Sequence, residues 1–446
     1  MTRLSQLLIS LVVLFGLNIS AQAETEIQRI ISPGGIEAWL VEDDTIPIIS
    51  LSYGFRGGAA SDPVGQEGLT NFVSGLLDEG AGDLDSQAFQ ARLADLNISL
   101  GFSGGRDRFT GTLRTLRENR DAAFDMLRLA LTESRFDEEP VERIRSQLLR
   151  SLEQDKTDPD YLSGRRFFAT LFEGHPYARP TRGTIETITA LSAETLSSFP
   201  ARRFTRDRLV VGVSGALSGT ELGLLLDKTF GGLTATSDLP KIPDVPVITA
   251  KQIEVIELPV PQSSALFGLQ GFKRDDPDFI PAYVLNYILG GGGFSSRLME
   301  EVREKRGLAY SVYSYLYPLD HAGLWLGGVA TQNSRMAESL EVINEVLDGF
   351  ANGDISEEDL RDAKTYLTGA YALRFDTNAK IAPRLVSLQM NDLGIDYTKT
   401  RNSLIDAVTL DDIKRVAKLL IDTDRLFVVV AGAPENLPNA KIIATQ

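Results

Sequence analysis

Two histidines, His175 and His321, and no cysteine are all the imidazole and thiol that this 446-residue chain possesses. Cysteine proteolysis and dithiol redox chemistry are excluded, because both need a thiolate. A self-contained catalytic zinc draws three protein ligands from His, Cys and carboxylate, which two widely separated imidazoles supply poorly. Neither histidine stands beside a nucleophile motif. His175 lies in Gly174-His175-Pro176-Tyr177, an extended turn, and His321 in Leu319-Asp320-His321-Ala322-Gly323, a hairpin turn. Both read as structural, and a Ser-His-Asp triad finds no support. The acidic groups Asp78-Glu79 and Asp155, Asp158 and Asp160 have the chemistry of a hard-cation site, but helix ends and surface solvation explain them better.

The most informative segment runs Gly290-Gly291-Gly292-Gly293-Phe294-Ser295-Ser296-Arg297-Leu298, then through Arg303 and Gly307 to Leu308-Ala309-Tyr310-Ser311-Val312-Tyr313. Its glycines permit a tight turn, Ser295 can cap a short helix, Gly307 ends it, and alternating residues then form a strand. No Lys-Ser/Thr follows the glycines, so a phosphate-binding loop is not expected. By residue type alone, Arg303 is a solvated helix charge and Tyr310 a strand aromatic.

The elements that must position this segment come in two copies. Asp207-Arg208-Leu209 and the apolar run to Gly215 return as Asp424-Arg425-Leu426 and the run to Gly432, 217 positions on. Leu191-Ser192-Ala193-Glu194 and Val408-Thr409-Leu410-Asp411 each open a helix on a capping hydroxyl. Phe136-Asp137-Glu138-Glu139 and Ile355-Ser356-Glu357-Glu358 precede long helical patterns, and the strand Ile48 to Phe55 aligns with Ala265 to Phe272. A tandem duplication follows: a first domain over 24–233, a Pro-rich linker over 234–246 and a second domain over 247–446. Each unit reads as α+β, a sheet covered by helices on one face, with the linker stiff and extended.

The composition, 43% hydrophobic and 24% charged, is globular, and the net charge of -16 argues against nucleic-acid partners. Arg3, the apolar stretch Leu7 to Leu17 and Ala21-Gln22-Ala23 read as a signal peptide over 1–23, cleaved near Ala23. An exported, periplasmic location is expected.

The glycine-to-tyrosine segment, the duplicated halves, Gly68-Leu69 and the His175-Pro176-Tyr177 turn together resemble the pitrilysin/insulinase-type metallopeptidases, the inverzincins, over nearly all of the mature chain. The resemblance implies two homologous domains, each a mainly antiparallel sheet under helices, facing each other as a clamshell. In that family an Arg and a Tyr seven residues later contact bound peptide, the hydroxyl assisting at the scissile carbonyl. These roles carry over to Arg303 and Tyr310, with Gly292, Gly293, Phe294 and Ser295 as the adjoining substrate-binding residues. A guanidinium and a phenol offer fixed donors to a carbonyl becoming an oxyanion.

The family's zinc motif, H-x-x-E-H, should follow Gly-Leu, because one helical turn then puts two imidazoles and a carboxylate base on one face. Here Asn71 and Gly75 stand at the ligand positions and Ser74 at the base position. Glu153 is a possible relic of the third ligand, and one carboxylate cannot hold a catalytic zinc. The resemblance therefore implies no cofactor on this chain and zinc on a partner, a homologous H-x-x-E-H subunit. The expected role is that of a non-catalytic subunit of an exported heterodimeric zinc metallopeptidase acting on unfolded peptides, contributing to activity only with its partner. The alternative is an inactive peptide-binding or structural scaffold of the same fold.

Overall fold

Strands form where every second residue is apolar: in Arg108–Leu116, Phe109 and Leu113 turn inward while Thr112 and Arg114 face out. The computed structural model describes residues 26–247 and 250–443; the signal segment 1–23 lies outside the described residues. Within them two six-stranded sheets form. The first contains β1 (Gln28–Ile31), β2 (Glu37–Glu42), β3 (Ile48–Arg56), β4 (Ser99–Gly104), β5 (Arg108–Leu116) and β6 (Leu209–Gly215), ordered β1-β2-β6-β3-β5-β4. The second contains β7 (Gln252–Glu257), β8 (Gln262–Gln270), β9 (Ser311–Pro318), β10 (Gly323–Gln332), β11 (Phe427–Gly432) and β12 (Ala440–Ile443), ordered β12-β7-β11-β8-β10-β9.

Five strands of each sheet follow one order, β2-β6-β3-β5-β4 matching β7-β11-β8-β10-β9, with β2–β6 and β7–β11 parallel and the other pairs antiparallel. The α+β architecture of two homologous units is therefore present. Ser192 and Thr409 cap equivalent helices through their side chains, as the repeat predicts. One alignment needs correcting. Ile49 pairs with Gly215, and Ser264 with Ala431 beside Gly432, so Gly54 matches Gly268 and the strand beginning at Ile48 matches Gln262, three residues earlier than Ala265. The hydrogen-bond register sets the match, and the connections differ in length.

The helices that matter for the site are α1 (Leu69–Ser74), α2 (Glu138–Asp155), α3 (Pro159–Leu171), α4 (Phe279–Asn286) and α5 (Asn378–Met390). Each sheet packs one face on helices of its own half, forming separate cores around Phe72, Phe124 and Phe230 and around Leu285, Trp325 and Phe350. The opposite faces, which one-sided cover would leave bare, are covered by exchange. Phe167 of α3, from the first half, packs on Leu324, Phe427 and Val429 of the second sheet. Leu385 and Leu388 of α5, from the second half, pack on Trp39 and Val41 of the first. The equivalent glycines Gly54 and Gly268 make room: a Cβ there would meet Met390 and Val386 of α5 or, at 2.8 Å, Phe167 of α3. Arg166 of α3 donates twice to Glu254 of β7, at 2.6 and 3.0 Å, where Glu254 is 1% exposed.

The connecting chain from Asp238 to Val247 has no regular structure, but it is pinned: Val245 N–H donates to the His321 carbonyl, and Val247 is buried. No helix among the described residues is long and apolar enough to cross a membrane.

Candidate functional site

Gly68, at φ 90°, turns the chain into α1, whose Leu69, Thr70, Phe72 and Val73 are buried. Asp62 anchors the entry. Its carboxylate, 2% exposed, accepts the Thr70 N–H at 3.1 Å, the Thr70 hydroxyl at 2.5 Å and Arg203 at 3.1 Å. Burial pushes the Asp62 carboxyl up to about 6, against the opposing pull of Arg203 and Thr70. α1 lies against edge strand β4, where a Cβ on Gly104 would meet the Thr70 carbonyl at 2.8 Å.

The three positions of the zinc motif are thus well placed on an ordered turn and chemically empty. Asn71 offers a neutral amide, Ser74 turns its hydroxyl back to the Asn71 carbonyl at 2.7 Å, and Gly75 has no side chain. A Cβ on Gly75 would sit 3.3 Å from Ile144 of α2, so the neighbouring helix packs closely on this position. This donor set does not fit zinc, which takes thiolate, imidazole and carboxylate. Glu153 lies on the exposed side of α2, 59% open, with its carboxylate 3.0 Å from Lys156; nearby Ser151 accepts from Arg182. Among the described residues no group of three His, Cys, Asp or Glu side chains is placed to hold a metal.

The other acidic residues serve local structure. Glu79 meets Arg143 at 2.5 Å and Ser86 at 2.6 Å, which hold its carboxyl below the usual range although burial opposes them. Asp155 pairs with Arg182 at 2.7 Å, Asp158 caps α3 through the amides of Asp160 and Tyr161, and Asp160 accepts from Ser264.

The glycine run does more than turn. A Cβ on Gly290 would come within 2.7 Å of the Ser314 amide, so the backbone packs directly on β9, while Gly293 takes φ 59°. The segment Met299–Glu304 is wound wider than an α-helix, with the Lys305 N–H reaching the Glu300 carbonyl, a geometry common at functional sites. It brings Arg303 between two rings. The guanidinium carbon lies 4.6 Å from the Phe294 centroid and 4.8 Å from that of Tyr310. Phe294 is 66% and Tyr310 83% exposed. Arg303 forms no ion pair among the described residues, so its N–H edges are free while cation–π contacts fix its plane. Gly292, Gly293 and Ser295 form the backbone turn that carries Phe294.

Tyr310 immediately precedes β9, the edge of the second sheet. Along it Tyr313 and Tyr315 stack at 6.1 Å, on the face opposite Val312 and Ser314. Burial raises both hydroxyls, Tyr315 to about 12, so they remain donors at neutral pH. The alternating tyrosines are visible in the sequence as a strand; their stacking is not.

Both histidines prove structural, and they converge. His175 Nε2–H donates to the Pro243 carbonyl at 3.1 Å while Nδ1 accepts the Tyr177 N–H at 3.2 Å. The His321 N–H donates to the Tyr177 hydroxyl at 3.0 Å, and its ring meets Asp244 at 3.1 Å. The chain's two imidazoles thus clamp the linker from opposite halves.

Comparison with known proteins places this geometry. A family model described as Insulinase (Peptidase family M16) matches residues 40–185, and one described as Peptidase M16 inactive domain matches 190–367. A non-peptidase homolog, YmxG, of Helicobacter pylori is 28% identical, covering 94% of this chain and 96% of its own. An uncharacterized zinc protease of Mycobacterium leprae is 28% identical, covering 87% of this chain and 88% of its own. A solved Pseudomonas fluorescens structure, described as a peptidase M16 inactive domain, is 26% identical with a TM-score of 0.86, covering 92% of this chain and 98% of that one.

Proposed function

The chain belongs to the insulinase-type M16 peptidase family, and from that premise we propose that it is the non-catalytic subunit of an exported heterodimeric zinc peptidase. An M16 homologue without the H-x-x-E-H side chains fits a non-catalytic role. In this reading export follows cleavage near Ala23, and a homologous partner carries the metal and its carboxylate base.

The observation that carries the reading is the survival of one half of the site beside the loss of the other. Arg303 is held flat between Phe294 and Tyr310 beside the edge strand of the second sheet, while α1 retains its shape with Asn71, Ser74 and Gly75 in place of ligands. An extended peptide laid along β9 would be gripped through its backbone. The Tyr310 hydroxyl would donate to the carbonyl under attack, and Arg303 would orient the peptide and share the developing negative charge. Recognition through backbone groups implies broad sequence tolerance. The Helicobacter pylori relative is described as a non-peptidase homolog, which favours the second reading, a scaffold that binds without turnover.

A tagged copy purified from its native cells decides between them. About one zinc per complex, with a co-purifying H-x-x-E-H chain, is expected. In the reconstituted pair, Tyr310→Phe should lower kcat by about 10²-fold or more and leave the thermal midpoint unchanged, because the side chain is 83% exposed. Unchanged turnover removes Tyr310 from the mechanism; absence of both zinc and partner favours the scaffold.

A further inference from the structure

We propose that the cavity at the seam between the two halves binds a small multivalent oxyanion, a molecule with two or three carboxylate or phosphate groups, through Arg208, Lys241 and Arg274. The cavity has a volume of about 600 Å³ and draws its walls from the end of β3, the linker, the start of the chain after β8, the β9–β10 hairpin and the end of α5. Both halves and their connection therefore contribute.

Five cationic side chains line it. Two are neutralised in place: Arg56 meets Asp392 at 2.7 Å and Lys273 meets Asp244 at 2.9 Å. Arg208, Lys241 and Arg274 have no carboxylate within 4.0 Å among the described residues, in a chain with 61 acidic residues against 45 basic. The acids of the wall are largely occupied. Asp392 serves Arg56, Asp320 is 3.1 Å from Arg108, and Asp107 accepts the Asp320 N–H at 3.2 Å. Burial, with Asp320 close by, raises the Asp107 carboxyl and weakens its claim as a counterion. Asp275 alone remains, exposed at the rim. Like charges confined to one concave space attract an anion and are relieved by it.

Two of the three cations are also held in position. Arg274 lies 4.3 Å from the Phe279 ring centroid and 5.3 Å from that of Tyr397, and donates to the Tyr397 hydroxyl at 2.7 Å. Arg208 donates to the Arg56 carbonyl at 3.3 Å. A guanidinium anchored through one nitrogen keeps the rest of its fork for a carboxylate or phosphate. Lys241, exposed on the linker, adds a third charge. Arg208 comes from the first half and Arg274 from the second, so a ligand with two anionic groups can pair with both at once.

Titration calorimetry of the intact chain at low ionic strength, with citrate and inorganic pyrophosphate as probes and sodium chloride as control, tests this. One saturable site is expected. Lys241→Gln and Arg208→Gln should each weaken it about tenfold, the loss of one charge-assisted contact, while Arg361→Gln on a distant exposed helix leaves it unchanged. Saturation by citrate alone identifies a carboxylate ligand, and by pyrophosphate alone a phosphate. No saturable heat with either probe overturns the proposal, as does equal affinity in Lys241→Gln and Arg361→Gln. Lys241, on the exposed linker, decides the matter even if Arg208→Gln fails to fold.

Discussion

Asn286, at the end of α4, binds the site to the core with one amide. Its oxygen accepts from the Trp325 indole at 2.9 Å and the Ser314 hydroxyl at 2.9 Å, while its nitrogen donates to the Ser314 carbonyl at 3.2 Å. All three residues are buried. Asn286→Ala would strand two buried donors, and a stranded donor costs about 1–3 kcal/mol. A loss of roughly 3 kcal/mol is expected, read as a lower urea midpoint with an unchanged m-value. A midpoint within error of the parent would show that the network contributes nothing net. At this scale the sequence revealed the glycine run but not its purpose. Gly290 is required because a Cβ there would meet the Ser314 amide of β9 at 2.7 Å, a contact between residues 24 positions apart that no local pattern announces. Arg303 and Tyr310 were legible only through the resemblance, since a helix charge and a strand aromatic are commonplace by type.

The elements most in need of the structure were α3 and α5. Phe167 and Phe168, with Phe172 just past its end, mark α3 as apolar on one side, yet nothing in their spacing says that the helix covers the sheet of the other half. The strands conceal the same fact, because Ile49 to Phe55 are buried on both faces without alternation, which specifies two covering layers and not their origin. Arg166 and Glu254 fix the exchange. Arg166→Ala leaves a 1%-exposed carboxylate without its cation, and removing one partner of a buried pair costs about 3–5 kcal/mol. Replacing both residues by Met should recover most of the loss, because the desolvation penalty then disappears. Urea unfolding of the two variants checks this, and a double variant as weak as the single one would mean that Arg166 acts through packing of its stem instead.

At the scale of the whole molecule the duplication was readable because capped helices and the β6 and β11 runs repeat at a constant spacing, while the three-residue slip in β3 against β8 arose where connections differ in length. The seam was not readable: His175 and His321 looked like separate turn residues. The hold of His175 on the linker makes stability depend on pH, with a sign fixed by hydrogen bonding. His175 donates from Nε2 to the Pro243 carbonyl and accepts at Nδ1 from the Tyr177 N–H, so only the neutral ring satisfies both partners. A second proton on Nδ1 would face the Tyr177 N–H and release the turn. Burial lowers the His175 pKa, helped by His321 and Arg179 and opposed by Pro243 and Asp107. The unfolded chain, with an ordinary imidazole near 6.5, therefore binds the proton first, and folding stability is lost as pH falls below about 6.5. His175→Gln can still donate to Pro243 but cannot titrate. The stability advantage of the parent over this variant should be constant above about pH 7 and shrink toward about pH 5, while the carboxylates of the seam titrate in both proteins and cancel in the difference. Parallel curves over that range would show that the imidazole holds the linker without sensing protons.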